Sequence, residues 1–268
     1  MNQFIGSGVI TLTTDFGHKG PFVATMKGVM IARAPQAQVI DLTHETSVHF
    51  PAEAGFWLKR AYRYFPVGTT HIAVVDPGVG TERDIIIAVV DGHAFVAPDN
   101  GLLAPLVVSP GSRIYQLDMT RLGRFGIELD RVSATFHGRD ILAPIGAELA
   151  AGRVQPEDFG PEVTNIVPSW VDEPQIVEGQ VRGVVIAVDN FGNLITNIDA
   201  ALLSDIKTPK VRAGGRVFPL RRTYGDVLPG DYLALINSFG VVEVARAEQS
   251  AADGLGLERG APVVVLNE

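Results

Sequence analysis

The sequence predicts two domains of different classes: an α/β domain with a mostly parallel sheet, followed by a small all-β barrel or sandwich. Strands and helices alternate over residues 1–155, which is typical of a parallel sheet covered by helices on both faces. Residues 156–178 are polar and punctuated by prolines, which predicts a linker. Residues 179–268 contain many short strands separated by glycines, which indicates antiparallel β-structure.

The strands of the first domain are predicted from short apolar runs bounded by turn residues, at residues 9–13, 38–42, 70–75, 85–90 and 93–97. Apolar residues at helical spacing predict helices at residues 20–34, 52–65 and 140–151. The first two helices stop at Pro35 and Pro66, because proline cannot continue a helix, and the third stops at Gly152.

The second domain is predicted to be built from seven short strands, at residues 180–188, 193–198, 210–213, 216–220, 232–237, 241–245 and 262–266. This number of strands in so short a stretch suits either a barrel or a sandwich.

The composition limits the classes of partner. The 268 residues, 46% hydrophobic and 19% charged, suit a compact protein with a sizeable core. Cysteine is absent, which excludes disulfides and a thiolate nucleophile. A net charge of −8 disfavours nucleic acid and anionic membranes as partners. No signal peptide or membrane-spanning stretch is found, so we expect a cytoplasmic protein.

An acid, an arginine and a histidine form the first candidate site. Asp76 follows a predicted buried strand and opens a tight turn, Arg83 lies shortly after it, and His137 lies where the chain enters a helix. Open α/β sheets place ligand-handling groups at the carboxyl ends of their strands. Singly, the three residues suit a turn cap, a surface arginine and a structural histidine. Together they could orient and deprotonate one water molecule.

Asp15 is the second candidate, at the end of the first strand. It belongs to an Asp-Phe-Gly tripeptide like that of protein kinases, but the other kinase loops are missing. The glycine fingerprints of dinucleotide and P-loop sites are also missing. A carboxylate here could accept two hydrogen bonds from a ribose diol, or it could cap the following helix.

Residues around two turns of the second domain form the third set: the polar groups of Asp189, Asn193, Asn237, Ser238 and Glu243, with the aromatic Phe191 among them. Phe191 could contact a purine face while the Asn193 amide reads its edge. The same residue types also make ordinary hairpin turns.

A metal cluster is the remaining candidate, and it would draw on His44, His71, His137, Asp76 and Asp140. Their spacing matches no metal motif, and a nearby Arg83 would oppose a cation. We therefore expect no metal.

An ordered set of motifs closely resembles the S-adenosyl-L-methionine (SAM) hydroxide adenosyltransferases, which hydrolyse SAM to adenosine and are related to bacterial fluorinating and chlorinating enzymes. The motifs are LTTDFG at 12–17, DLTH at 41–44, VDPGVG at 75–80, APDNG at 97–101, TFHGRD at 135–140, DNFGN at 189–193 and NSFG at 237–240. No single motif is decisive, but their joint order spans nearly the whole chain.

The resemblance implies a Rossmann-like N-terminal domain, a C-terminal β-barrel and a homotrimer. SAM would lie between the N-terminal domain of one subunit and the C-terminal domain of its neighbour. Water or hydroxide would attack the 5′-carbon of the ribose, and L-methionine would leave. SAM would be the substrate, so no cofactor is expected.

The family roles fall on ten residues. The resemblance implies that the family's Asp-Arg-His set corresponds to Asp76, Arg83 and His137, and that Asp15 holds the ribose hydroxyls. Asp189 and Ser238 would hold the methionine end, Phe191 and Asn193 would contact adenine, and Glu243 and Arg246 would lie nearby.

The departures from the halogenating relatives favour hydrolysis. Those enzymes carry Tyr and Thr where this chain has Asp76 and Val79. An ionised Asp76 would repel a halide, whereas Arg83 and Asp76 together suit a bound water. The resemblance implies that His49 lies where the halogenases carry an aromatic residue near methionine. We predict SAM hydrolysis, with a halide-using SAM enzyme and a SAM- or adenosine-binding sensor as alternatives. Whether Asp76 or His137 accepts the proton stays open.

Overall fold

The computed structural model describes residues 3–267, and the chain divides into two compact units between Trp170 and Val171. This division falls inside the proline-containing stretch 156–178. Each unit has its own sheet and its own buried hydrophobic clusters.

The first unit is a seven-stranded mixed sheet covered by helices. Its strands β1 to β7 are Val9–Thr14, Gln38–Thr43, Thr70–Val74, Ile85–Val90, His93–Pro98, Arg113–Gln116 and Glu162–Val163. The spatial order is β2-β1-β3-β5-β4-β6-β7, with parallel pairing from β2 to β5 and antiparallel pairing from there to β7. The predicted Rossmann-like α/β class is confirmed. The predicted strands agree with β1 to β5 to within one residue at each end.

The helices of this unit are α1 to α4, at Phe22–Arg33, Pro51–Ala61, Ala104–Val107 and Ala143–Ala150. The helix predicted at 52–65 ends earlier because the chain tightens into a 3₁₀ turn at Tyr62–Tyr64. The helix predicted from residue 140 instead begins with a π-helical turn at Gly138–Leu142. The short elements β6, β7 and α3 were not predicted, because two to four residues carry too little periodicity to be recognised. No helix within residues 3–267 is long and apolar enough to cross a membrane.

The described part of the second unit has eight strands, seven of which form a closed barrel. Its strands β8 to β15 are Gln175–Val177, Gln180–Val188, Leu194–Asp199, Pro209–Ala213, Arg216–Arg221, Tyr232–Ile236, Val241–Arg246 and Pro262–Asn267, and its one α-helix among the described residues, α5, is Ala251–Leu255. The order β9-β10-β14-β13-β12-β11-β15 closes because β15 pairs back onto β9. The predicted barrel is therefore confirmed, but it is not wholly antiparallel as predicted, because β12 and β13 pair in parallel. The short strand β8, which adds to β9, and α5 were not predicted.

The register of the first sheet determines where the candidate acids lie. Strands β1 and β3 are adjacent and parallel, and Thr14 pairs with Val74. Both strands are almost wholly buried. Asp15 directly follows β1 and Asp76 lies two residues after the end of β3, so both emerge at the same carboxyl edge of the sheet.

A buried histidine pair lies nearer the other end of the same strands. Nδ1 of His71 lies 2.7 Å from Oγ1 of Thr11, and its Nε2 lies 3.2 Å from Nδ1 of His93. The His71 ring also stacks on Phe95 with centroids 4.8 Å apart. Burial, and next the neighbouring His93, lower the pKa of His71 from 6.5 to about 3. His71 is therefore neutral in the folded protein.

We expect this histidine to make the fold acid-sensitive. The unfolded chain takes up a proton at His71 near pH 6.5 and the folded chain only near pH 3, so its contribution to stability is complete above the first value and is lost as the pH falls toward the second. From about pH 7.5 to about pH 5 the loss is about 2 kcal/mol. Denaturant unfolding at both pH values checks this, with His71→Phe as the non-titrating control. Equal losses in the two proteins would contradict the assignment.

Candidate active site

A buried ion pair between Asp76 and Arg83 forms the centre of the site. Nε of Arg83 donates to both carboxylate oxygens of Asp76, at 3.1 and 3.0 Å, and Nη2 also donates to Oδ2. The Asp76 and Arg83 side chains are only 6% and 11% exposed. A planar guanidinium bound at more than one point fixes the orientation of the carboxylate.

His137 joins this pair through the same guanidinium. Nη2 of Arg83 lies 2.9 Å from Nδ1 of His137. Because arginine only donates, Nδ1 of His137 accepts, and the ring proton of the neutral imidazole lies on Nε2. Burial, and next the positive charge of Arg83, lower the pKa of His137, so the ring is neutral at neutral pH. Arg83 thus links the two other members of the predicted set.

The backbone around His137 is held from within its own segment. The residue immediately precedes the π-helical turn Gly138–Leu142, a type of turn that often occurs at functional sites. Asp140 in this turn accepts a hydrogen bond from the Ser133 N–H at 2.9 Å, which ties the turn to the loop before it.

The turn after Asp76 approaches that loop closely at a glycine. Gly80 has φ +79°, and a Cβ at this position would lie 2.3 Å from the carbonyl oxygen of Ala134. Any larger residue would therefore separate the turn that carries Asp76 from the loop that leads to His137. The glycine motif at 75–80 thus serves the assembly of the site.

A cleft of about 240 Å³ opens at this edge of the sheet. Asp15, Asp76 and His137 all line it, whereas Arg83 lies behind the lining. The apolar side chains around them are Phe16, Val48, Val74, Val79 and Phe136. The first unit therefore brings together all four of its predicted site residues, three at the cleft surface and one supporting them.

Asp15 is positioned by a neighbouring loop. Its Oδ2 accepts a hydrogen bond from the N–H of His49 at 2.9 Å, and His49 has a left-handed backbone with φ +60°. Helix α1 begins at Phe22, with Pro21 as its N-cap and no side-chain cap. The alternative in which Asp15 caps this helix is therefore wrong.

In the second unit, Asp189 organises the turn between β9 and β10. Its Oδ1 accepts from the N–H groups of Phe191 and Asn193, each at 2.9 Å, and its Oδ2 accepts from Nδ2 of Asn193 at 2.9 Å. Asn193 is 5% exposed, whereas the Phe191 ring is 76% exposed. The turn thus exposes a large aromatic ring to solvent and fixes the amide of Asn193, two residues further on.

Glu243 lies buried on β14, close to this turn. Its carboxylate accepts from the Tyr224 hydroxyl at 2.7 Å and from Nδ2 of Asn237 at 3.2 Å. Burial, opposed by these two hydrogen bonds and assisted by the charge of Asp189, raises the pKa of Glu243. Sequence analysis missed Tyr224, which lies in a polar stretch without a motif.

The other two predicted residues of this unit have different surroundings. Ser238 is exposed at the tip of the turn between β13 and β14. Nε of Arg246 donates to the carbonyl of Gly230 at 2.9 Å, and its guanidinium lies 4.9 Å from the centroid of the Tyr232 ring. The Arg246 guanidinium is thus engaged within the barrel.

Within residues 3–267, no group of three His, Asp or Glu side chains is arranged to hold a metal ion.

The chain thus combines an α/β unit, which carries an acid–arginine–histidine site, with a closed β-barrel. This combination indicates a two-domain enzyme, and comparison with known proteins identifies its family. The family model described as the SAM hydroxide adenosyltransferase N-terminal domain matches residues 10–160, and the model for the C-terminal domain of the same family matches residues 183–264. The chain belongs to the SAM hydroxide adenosyltransferase family.

Individual relatives agree with this. A protein of Thermus thermophilus named (R)-S-adenosyl-L-methionine hydrolase is 39% identical over 94% of this chain and 97% of its own length. A fluorinase of Actinopolyspora mzabensis is more distant, at 25% identity over 99% of both chains. The crystal structure of an uncharacterized conserved protein from Thermotoga maritima has a TM-score of 0.85 and 33% identity, over 96% of this chain and 99% of the other.

Proposed function

We propose that this protein hydrolyses SAM to adenosine and L-methionine, by attack of water or hydroxide on the 5′-carbon of the ribose. The observation that carries the proposal is the Asp76 carboxylate, held by Arg83 at the surface of the cleft beside a neutral His137. Relatives that are 39% and 36% identical and bear the name of SAM hydrolases support it.

The reaction balances without a cofactor. The oxygen of water forms a bond to the 5′-carbon as the bond from that carbon to sulfur breaks, and the electron pair passes to sulfur, which becomes the thioether of methionine. The second proton of the attacking water leaves to a base. A sulfonium is already a good leaving group, so the site needs no acid at sulfur. We therefore propose SAM as substrate and no cofactor or metal.

Asp76 is the base in this proposal. The one basic lone pair of neutral His137, on Nδ1, is already occupied by Arg83. The Asp76 carboxylate offers about four acceptor directions, and Arg83 makes three contacts with it. His137 therefore serves as an Nε2–H donor that can orient the water, while Asp76 receives the proton.

The remaining contacts are proposed from the groups that each residue leaves available. Asp15 binds the ribose hydroxyls. The Nδ2 of Asn193 is engaged by Asp189, so its Oδ1 can accept from the adenine amino group while Phe191 contacts the ring. Asp189 and Ser238 hold the methionine end. Glu243 and Arg246 support these groups from within the barrel.

Product analysis tests the activity and separates it from the alternatives. Purified protein is incubated with SAM, with and without added chloride or fluoride, and nucleosides are followed by chromatography. We expect adenosine and methionine in equal amounts whether or not halide is present. A halogenated nucleoside would instead identify a halide-using enzyme. Binding of SAM without any product would identify a sensor.

We also propose that the protein is a homotrimer whose sites each take residues from two subunits. The support is the family resemblance, together with the placement of the proposed SAM contacts in two separate units. Closed rotational symmetry of this kind reproduces the same interface at every junction.

Assembly is expected to be visible in both mass and activity. Light scattering should give about three times the 28.7 kDa chain mass. Subunits with Asp76→Asn and subunits with Asn193→Ala should each be nearly inactive alone. Trimers reassembled from a mixture of the two should regain activity, because some sites then combine the intact halves. An active monomer, or a mixture that stays inactive after proven exchange of subunits, would contradict the shared site.

A further inference from the structure

A second chain of polar side chains, buried at His44 and Thr14 but 39% exposed at Asp41, makes no contact that the proposed chemistry uses. It begins at Asp41, at the carboxyl end of β2, and passes through His44 to Thr14, the last residue of β1. Nε2 of His44 lies 2.9 Å from Oδ1 of Asp41 in a bent approach, and its Nδ1 lies 2.9 Å from Oγ1 of Thr14. His44 and Thr14 are 1% and 0% exposed.

When the His44 ring carries one proton, only one placement of the hydrogen atoms lets each donor of this chain face an acceptor. The Phe16 N–H donates to Oγ1 of Thr14 at 3.2 Å. The Thr14 hydroxyl then donates to Nδ1 of His44, which leaves the Nε2 proton facing the Asp41 carboxylate. Lys27 holds that carboxylate at 2.6 Å, so the chain ends on a paired charge. The approach of Nε2 to the Asp41 carboxylate is too bent for a well-formed hydrogen bond, so this contact is electrostatic, whereas the contact between His44 and Thr14 is a hydrogen bond.

All these contacts converge on the short segment that carries Asp15. Besides the contact from Phe16 to Thr14, the Gly17 N–H donates to the carbonyl of His44 at 2.8 Å, and the Thr46 hydroxyl donates to the carbonyl of Thr14 at 3.0 Å. The residues on both sides of Asp15 are therefore bonded to the segment 44–46. Asp15 itself points into the cleft.

We propose that Asp41, His44 and Thr14 act as a positioning relay that fixes the turn at residues 14–17 and so aims the Asp15 carboxylate at its ligand. The inference rests on the proposed function, in which that ligand is the ribose of SAM or adenosine. None of the three residues lines the cleft, so they act through Asp15 and not on the substrate.

The same strand supplies a matched control. Thr11 makes an equivalent buried hydrogen bond, from Oγ1 to Nδ1 of His71 at 2.7 Å, nearer the start of β1. Thr11→Val and Thr14→Val therefore each remove one buried threonine–histidine hydrogen bond from one strand. Only Thr14 is adjacent to Asp15.

Thr14→Val is expected to weaken adenosine binding roughly ten-fold and to raise KM for SAM by a similar factor, with a smaller change in kcat. Thr14→Ser, which restores the hydroxyl, should recover most of the affinity. Thr11→Val should lose comparable stability while its adenosine affinity and KM stay at the wild-type values. Calorimetric titration of adenosine, steady-state kinetics and denaturant unfolding measure the three quantities.

His44→Phe provides a second route to the same answer, because it keeps a ring against His18 and removes both ring nitrogens. If the relay acts as a unit, the double variant Thr14→Val/His44→Phe should bind adenosine about as weakly as either single variant. Wild-type affinity in Thr14→Val, or an equal loss of affinity in Thr11→Val, would overturn the proposal. A wild-type protein that neither binds adenosine nor consumes SAM would instead refute the proposed function.

Discussion

Replacing Asp76 by asparagine is expected to lower the rate of adenosine formation by about 10²–10⁴-fold, the usual contribution of a positioned base. Asparagine keeps the size of the side chain but cannot take a proton from water. SAM affinity should change much less, because the carboxylate acts on the attacking water and not on a bound group of the substrate. Single-turnover kinetics together with SAM titration separate the two effects.

A loss of stability in Asp76→Asn must be separated from a loss of catalysis, because the variant leaves Arg83 buried without its counter-ion. Breaking such a pair costs about 3–5 kcal/mol. Glu148→Gln is the matched variant: Glu148 is a partly buried carboxylate in the same unit, paired with Arg33 at 3.3 Å and Arg153 at 2.7 Å, and it does not line the cleft. It should lose stability and keep turnover. Near-normal turnover by a folded Asp76→Asn protein would remove Asp76 from the mechanism.

Asp15→Asn is expected to weaken the binding of both SAM and adenosine at least ten-fold, while methionine binding changes little. Two ribose hydroxyls that donate to one carboxylate make charge-assisted hydrogen bonds worth roughly 1.5–3 kcal/mol each. The variant removes the charge and one acceptor. It keeps an oxygen that can still accept from the His49 N–H, so the neighbouring loop stays tethered.

Calorimetric titration of adenosine and of methionine into both proteins tests the role of Asp15. Because Asp15 does not cap α1, a loss of stability alone would point to the tether from His49 as its main role. Unchanged adenosine affinity in the variant would place the ribose elsewhere.

The sequence could predict the parts of the fold that depend on long or regular patterns. Strand β4 is a continuous apolar run, and the buried strands β1, β3 and β5 combine apolar residues with threonine or histidine, while the barrel strands alternate with turns that contain glycine. The carboxyl-edge position of Asp15 and Asp76 follows from those strands, since parallel neighbours end at one edge. Short elements such as β7, with two residues, contain no such pattern.

The geometry of the site depends on contacts that no local pattern encodes. The link from Arg83 to His137 joins residues 54 positions apart, and it decides which nitrogen of the histidine keeps its proton. The question of which residue accepts the proton could therefore not be answered from the sequence. The π-helical turn after His137 and the hydrogen bond from Tyr224 to Glu243 likewise arise from tertiary packing.

The most direct test of the central claim is to follow the oxygen atom. The purified protein is supplied with SAM in water enriched in heavy oxygen, with Asp76→Asn and a protein-free sample as controls, and the nucleoside product is analysed by mass spectrometry. Hydrolysis at the 5′-carbon predicts adenosine that carries the heavy oxygen in its 5′-hydroxyl, formed with an equal amount of methionine and nearly absent from both controls. Adenosine without the label, or a product that contains a halogen in place of the hydroxyl, would contradict it.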